Sequence, residues 1–170
     1  MEYRILGKSG LKVSVISFGG MRLPGVDDET AFKAINRSLD LGVNFFETAP
    51  GYGDSERKIG LSLGKRRKDI FLSTKTGYCT ADECRKKIDD QLKRLQTDYF
   101  DFYQMWYVNS QEDFEKVIAK GGPLEGAKTA MKEGIIKHIG ITTHAPNAAV
   151  QSMINSGLFE GITLYHNLFK

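Results

Sequence analysis

Short β-branched and aromatic runs recur along the chain at residues 15–18, 43–46, 70–73, 100–105, 137–141 and 162–165, where the pattern predicts six strands. Helical spacing fills the intervals. Ala31, Ala34, Ile35 and Leu39 share one face of a predicted helix over 29–41, and Cys84, Ile88, Leu92 and Leu95 share one over 81–95. Further helices are expected over 55–63, 124–133 and 147–155. Their ends carry independent signals. Thr80 followed by Glu83 reads as a capping box, Pro123 suits a first helical position, and Gly42, Gly134 and Gly157 suit left-handed C-terminal caps. Ahead of the first strand, residues 3–6 and 11–14 around the turn Gly7-Lys8-Ser9-Gly10 read as a β-hairpin.

Strands that alternate with helices imply a parallel sheet, because each return to a parallel neighbour needs a crossover. Two architectures compete. A doubly wound sheet should show a G-x-G-x-x-G turn after an early strand, and Gly19-Gly20-Met21-Arg22-Leu23-Pro24 does not supply it. A (β/α) barrel gathers its functional residues at the C-terminal ends of several strands, and Glu47, Lys75, Trp106 and Thr142 all fall at such ends. The expected fold is therefore α/β, a TIM-type (β/α) barrel with an N-terminal β-hairpin, the hairpin closing the bottom of the barrel. It is incomplete in this chain, with six of eight units, since closed barrels of this type run to about 250 residues. A single domain over 1–170, a partial barrel, is the expected organisation. An open parallel edge exposes backbone donors and core side chains, and could serve self-association or docking of a complementing chain.

Composition narrows the function. Charged residues at 26% and a net charge of +3 are ordinary for a globular chain, and the run Lys65-Arg66-Arg67-Lys68 reads as a solvated loop before a strand. Nucleic acid is not expected as a partner. No apolar stretch is long enough for a membrane span, and Met1-Glu2-Tyr3-Arg4 lacks the apolar core of a signal peptide, which favours the cytoplasm. Two cysteines, Cys79 and Cys84, and three histidines, His138, His144 and His166, show no zinc-like spacing, so no metal is expected. The small cysteine count agrees with a reducing compartment.

The chemistry concentrates at NFFETAPGYGDSERKIG, residues 44–60, where a strand ends in Glu47 and a turn presents the phenol of Tyr52. Taken alone, Glu47 and Lys75 could equally be a barrel-end ion pair, and Tyr52 a ring covering a loop. Together with YRILGKSGLKVSVISFGGMRLPG, FLSTKTG and EGIIKHIGITTHAP, however, this stretch resembles the aldo-keto reductases, NAD(P)H-dependent carbonyl reductases on a (β/α)8 barrel. The four stretches follow the family's order. The resemblance implies that Tyr52 is the proton donor to a carbonyl oxygen, that Lys75 activates it as a nearby cation, and that Glu47 holds Lys75 where the family usually has aspartate.

In FYQMWYVNS the resemblance places Trp106 where many members have a substrate-orienting histidine. Trp106 cannot exchange a proton, and three roles stay open: a weak indole donor, an aromatic wall for flat substrates, or a plug in the substrate's space. Met21 joins it as a substrate-side residue. For the cofactor, NADP by resemblance, the implied contacts are Gly20, Met21 and Arg22 after the first barrel strand, Thr142 and Thr143 after the fifth, and Thr163 on the sixth. The implied substrate is a small aldehyde or ketone. A noncatalytic partial barrel serving assembly, or a truncated piece of a longer reductase, is the competing expectation.

Overall fold

The computed structural model describes residues 1–144 and 148–165. The predicted hairpin forms first: β1 (Tyr3–Ile5) pairs antiparallel with β2 (Lys12–Ser14), Tyr3 opposite Ser14. Six parallel strands follow, β3 (Phe18–Gly19), β4 (Phe45–Glu47), β5 (Phe71–Thr76), β6 (Phe100–Met105), β7 (Ile136–Thr143) and β8 (Gly161–Leu164). Each pairs with its neighbours in chain order, so the sheet runs β3-β4-β5-β6-β7-β8 with no crossover out of sequence and curls into a half-barrel. Such order is what successive right-handed βα units produce.

Five of the helices stand where the pattern placed them: α1 (Asp28–Asp40), α2 (Ser55–Leu63), α3 (Ala81–Leu95), α5 (Pro123–Lys132) and α6 (Ala148–Asn155). Asn147, the predicted start of the last, lies outside the described residues. The capping box at Thr80 and Glu83 is formed in both directions, Pro123 opens α5, and Gly42, Gly134 and Gly157 all take positive φ. One helix was not expected. Residues Gln111–Ile118 form α4, capped by Ser110, whose hydroxyl accepts from the Asp113 amide, and anchored by buried Phe114 and Val117.

The first barrel strand also needs correction, because Val15 and Ile16 are exposed at 47% and 62% and lie outside any strand. The Val15 amide instead extends the hairpin by donating to the Glu2 carbonyl, and the Ser14 hydroxyl turns back onto the Ile16 carbonyl. Pairing to β4 starts only at Phe18, opposite Phe46.

Period-two alternation along the strands separates two faces. Phe46, Leu72, Tyr103, Met105 and Ile141 point outward into one apolar cluster with Ile35 of α1, Ile59 of α2, Ile88 of α3 and Ala127 of α5. Full burial of each large side chain here stabilises by roughly 1.5–3 kcal/mol. The inward face is more polar. Gln104, wholly buried, accepts from the Thr163 hydroxyl at 2.7 Å and donates to the Ser73 hydroxyl at 2.9 Å, joining β8, β6 and β5 across the barrel interior. Below, the hairpin bridges the barrel floor: the Tyr3 hydroxyl donates to the Gly42 carbonyl at 3.0 Å, and the Lys8 amide donates to the Glu160 carbonyl at 2.6 Å.

Candidate active site

Glu47 ends β4 beside Ser73, so Lys75, two residues further along β5 on the same face, lies diagonally across from it. The two long side chains meet as an ion pair. Lys75 is only 3% exposed, and its ammonium also donates to the Thr48 carbonyl at 2.9 Å and to the Tyr52 hydroxyl at 3.3 Å. The nitrogen lies 4.7 Å from the centre of the Tyr52 ring. Three acceptors therefore surround one buried cation.

A tight turn delivers the phenol. The Tyr52 amide donates to the Ala49 carbonyl at 3.0 Å, its carbonyl accepts from the Ser55 amide at 2.9 Å, and Gly53 takes a φ of 49°, which opens the way into α2. The hydroxyls of Thr48 and Ser55, 2.8 Å apart, pin the two ends of the loop together. Gly20 packs against this pin: a Cβ there would stand 2.4 Å from the Ser55 hydroxyl oxygen.

Behind Lys75 stands a buried polar brace. Glu56 of α2, 1% exposed, accepts from the Thr74 hydroxyl at 2.7 Å, from the Gln91 amide at 3.0 Å and from the Arg94 guanidinium at 2.7 Å. Gln91 of α3 donates in addition to the Lys75 carbonyl at 2.9 Å and accepts from the Tyr103 hydroxyl at 2.7 Å. The helix that follows Tyr52 and the strand that carries Lys75 are thus tied through one carboxylate. Every polar atom in this brace has a partner, which is what makes such a burial tolerable.

Burial governs the protonation of the pair. Loss of water lowers Lys75 to about 7, and partial burial raises the phenol of Tyr52. The shift of Tyr52 runs opposite to the easing expected from a neighbouring cation. Its cause is burial, and Trp106 stands beside the ring, edge-on at 5.8 Å between ring centres and 88° between planes.

Trp106 in turn leans on the loop below it. A Cβ on Gly51 would come within 2.5 Å of the indole ring, so only glycine lets the ring lie where it does. The next residue, Tyr107, has a φ of 65°, an uncommon conformation for a non-glycine residue. Its amide donates to the Thr142 hydroxyl at 3.0 Å, which compensates part of the strain.

A cleft of about 410 Å³ opens over these groups, lined by Glu47, Tyr52, Lys75, Trp106, Thr142, Thr143 and Thr163 among others. Seven of the predicted site residues are therefore brought together. Gly20, Met21 and Arg22 do not line it: they lie on the 3₁₀ turn Gly20–Gly25, with Gly20 buried against Ser55 and Met21 exposed at 54%. Thr143 donates its proton to the Asn109 side chain at 3.2 Å and Thr163 donates its own to Gln104. Thr142 accepts from the Tyr107 amide, and among the described residues its own proton has no acceptor. His144 borders the cleft on a bend with its ring 5.0 Å from that of Tyr107, and His166 lies outside the described residues. Sequence reasoning missed Thr48, Gln104 and Gln91. Thr48 acts through its carbonyl, which no side-chain pattern reveals, whereas the glutamines are polar residues at apolar-period positions of β6 and α3.

A sequence profile of the Aldo/keto reductase family matches residues 15–165. The chain belongs to this family. Among curated relatives, it is 28% identical over 183 residues to the uncharacterized oxidoreductase YqkF of Bacillus subtilis, covering 99% of this chain and 57% of YqkF. It is 32% identical over 157 residues to L-galactose dehydrogenase of Arabidopsis thaliana, covering 84% of this chain and 48% of that protein. The chain thus spans about half the length of the curated relatives it matches. Among solved structures, the holo form of aldo-keto reductase AKR11C1 from Bacillus halodurans superposes with a TM-score of 0.84 at 29% identity, over 98% of this chain and 58% of that one. The six-strand sheet is accordingly the corresponding part of an aldo/keto reductase barrel. Among the described residues, no helix is long and apolar enough to cross a membrane.

Proposed function

We propose that the site reduces small aldehydes or ketones at the expense of a nicotinamide cofactor, with Tyr52 as proton donor, Lys75 as its activator and Glu47 as the partner that holds Lys75. The observation that carries this reading is the 3.3 Å contact between the buried Lys75 ammonium and the Tyr52 hydroxyl. The cleft over them, about 410 Å³, suits a nicotinamide ring with a small carbonyl compound, and the free proton of Thr142 suits a carboxamide oxygen. Bound there, the nicotinamide would supply a hydride to the carbonyl carbon.

The chain's own part is to handle the charge that this creates. Tyr52 gives its hydroxyl proton to the carbonyl oxygen, and the phenolate left behind faces the Lys75 ammonium in a site shielded from water, where a charge pair interacts strongly. Glu47 and the Thr48 carbonyl keep the ammonium from swinging away. Trp106 forms the wall beside the phenol and offers an indole N–H in place of an imidazole. Met21 and Arg22, exposed outside the cleft, would meet substrate or cofactor only beyond its rim. The choice of NADP as cofactor rests on the family resemblance rather than on a side chain in the cleft.

Titration with NADPH and NADH, followed by nicotinamide fluorescence, tests the cofactor half of the reading. A change in the micromolar range supports it; no change at millimolar cofactor overturns it and favours a noncatalytic barrel serving assembly. Tyr52→Phe tests the chemical half: cofactor binding should persist while aldehyde reduction falls by at least about a hundredfold, the usual scale for a lost general acid. Equal rates in the variant would remove Tyr52 from the mechanism.

A further inference from the structure

The two cysteines stand apart from the cleft, and the start of α3 explains why they meet. In the capping box, the Thr80 hydroxyl accepts from the Glu83 amide at 3.2 Å and the Glu83 carboxylate accepts from the Thr80 amide at 2.8 Å. This arrangement folds the residue before the cap onto the fourth residue of the helix, a contact usually made by two apolar side chains. Here the two positions hold Cys79 and Cys84: Cys84 belongs to the apolar cluster, Cys79 packs against that cluster, and the Cys79 thiol donates to the Gly77 carbonyl at 3.4 Å. Both are free thiols.

Their surroundings differ. Cys84 is fully buried, packed beneath α5, where a Cβ on Gly126 would come within 2.8 Å of its own Cβ. Cys79 is half-buried on the loop that leaves β5, with its sulfur 3.6 Å from the Thr76 hydroxyl. The hydrogen bond from Cys84, together with the Thr76 hydroxyl and the Lys87 ammonium, brings the Cys79 thiol down to about 6, whereas Cys79 and burial push Cys84 up. Cys79 is the more accessible and the more acidic of the two thiols, and Cys84 is its shielded neighbour.

We infer that Cys79 and Cys84 form a redox-sensitive dithiol at the head of α3, which hydrogen peroxide converts into an intramolecular disulfide. The Cys79 thiolate attacks one peroxide oxygen, the O–O bond breaks with hydroxide leaving, and Cys79 becomes a sulfenic acid. The Cys84 sulfur, giving up its proton, then attacks the Cys79 sulfur; the S–S bond forms, the S–O bond breaks, and the departing hydroxyl leaves as water. Two thiols and one peroxide thus become one disulfide and two waters. The site does not depend on carbonyl reduction, because neither sulfur lines the cleft.

The test treats the folded chain with hydrogen peroxide, quenches it, alkylates under denaturing conditions, and weighs the peptide that carries both cysteines. The expected result is loss of two hydrogen masses with neither sulfur alkylated, reversed by dithiothreitol. Cys84→Ser should strand Cys79 as a sulfenic acid that dimedone captures, and Cys79→Ser should leave Cys84 unmodified at the same dose. Thr80→Ala, which removes the cap that brings the sulfurs together, should slow disulfide formation. Met21, exposed at 54%, reports the dose. Two alkylatable cysteines in a chain whose Met21 has become the sulfoxide would overturn the inference, as would a disulfide found only between two chains.

Discussion

Replacing Lys75 by methionine removes a titrating group from beneath the cleft while keeping its aliphatic bulk. The structure fixes both the sign and the size of the effect on stability. Lys75 is lowered from its ordinary 10.5 to about 7 by burial. Between those two values the unfolded chain binds a proton at this position that the folded chain does not, so wild-type stability from this group should rise with pH across that window and level off outside it. At about 1.4 kcal/mol per pH unit, the full difference is on the order of 5 kcal/mol. Lys75→Met lacks the term. Denaturant unfolding of both proteins, followed from pH 7 to 10, should therefore show the wild type gaining on the variant at every step. Parallel curves would refute the reasoning, since they would mean that Lys75 keeps its proton throughout and that Glu47 outweighs burial.

Gly51→Ala should push the indole of Trp106 off the loop, because the added Cβ would stand 2.5 Å from the ring. Trp106 is the only tryptophan in the chain, so its emission reports the move directly; an unchanged spectrum with unchanged stability would argue against that contact. Glu56→Gln should cost about 1–3 kcal/mol, the scale for disturbing a buried hydrogen-bonded group whose charge partner, Arg94, reaches solvent, as read from the denaturant midpoint. A loss under about 1 kcal/mol, as for an exposed pair, would mean that Arg94 and Gln91 find other partners.

The alternation of strands and helices was legible because each βα unit buries its own apolar face, and periods of two and 3.6 leave different marks. Thr80, Pro123 and the three C-terminal glycines were legible for the same reason: each acts on backbone groups within a few residues. What escaped depends on tertiary contacts. Val15 and Ile16 have strand-like side chains, but backbone bonds to the hairpin turn them outward before pairing with β4 begins. The helix Gln111–Ile118 buries only Phe114 and Val117, too narrow a stripe to announce itself, although Ser110 three residues before Asp113 marked its start. At the cleft, Glu47, Lys75 and Trp106 could be named from their places at strand ends, and Tyr52 from the family resemblance. Their support could not. Thr48 works through a main-chain oxygen, and Gln91 and Glu56 matter only because α2, α3 and β5 converge, which no local pattern encodes.

The floor hairpin sets a timetable for synthesis. Its Tyr3 can find Gly42 soon after that residue is made, but the bond from Lys8 waits for Glu160, some 150 positions later on the ribosome. The earliest segment to emerge is thus among the last to be fully seated, and its Leu6, which packs beside Gly161, must be tolerated uncovered by the nascent chain until translation of the last described strand is under way.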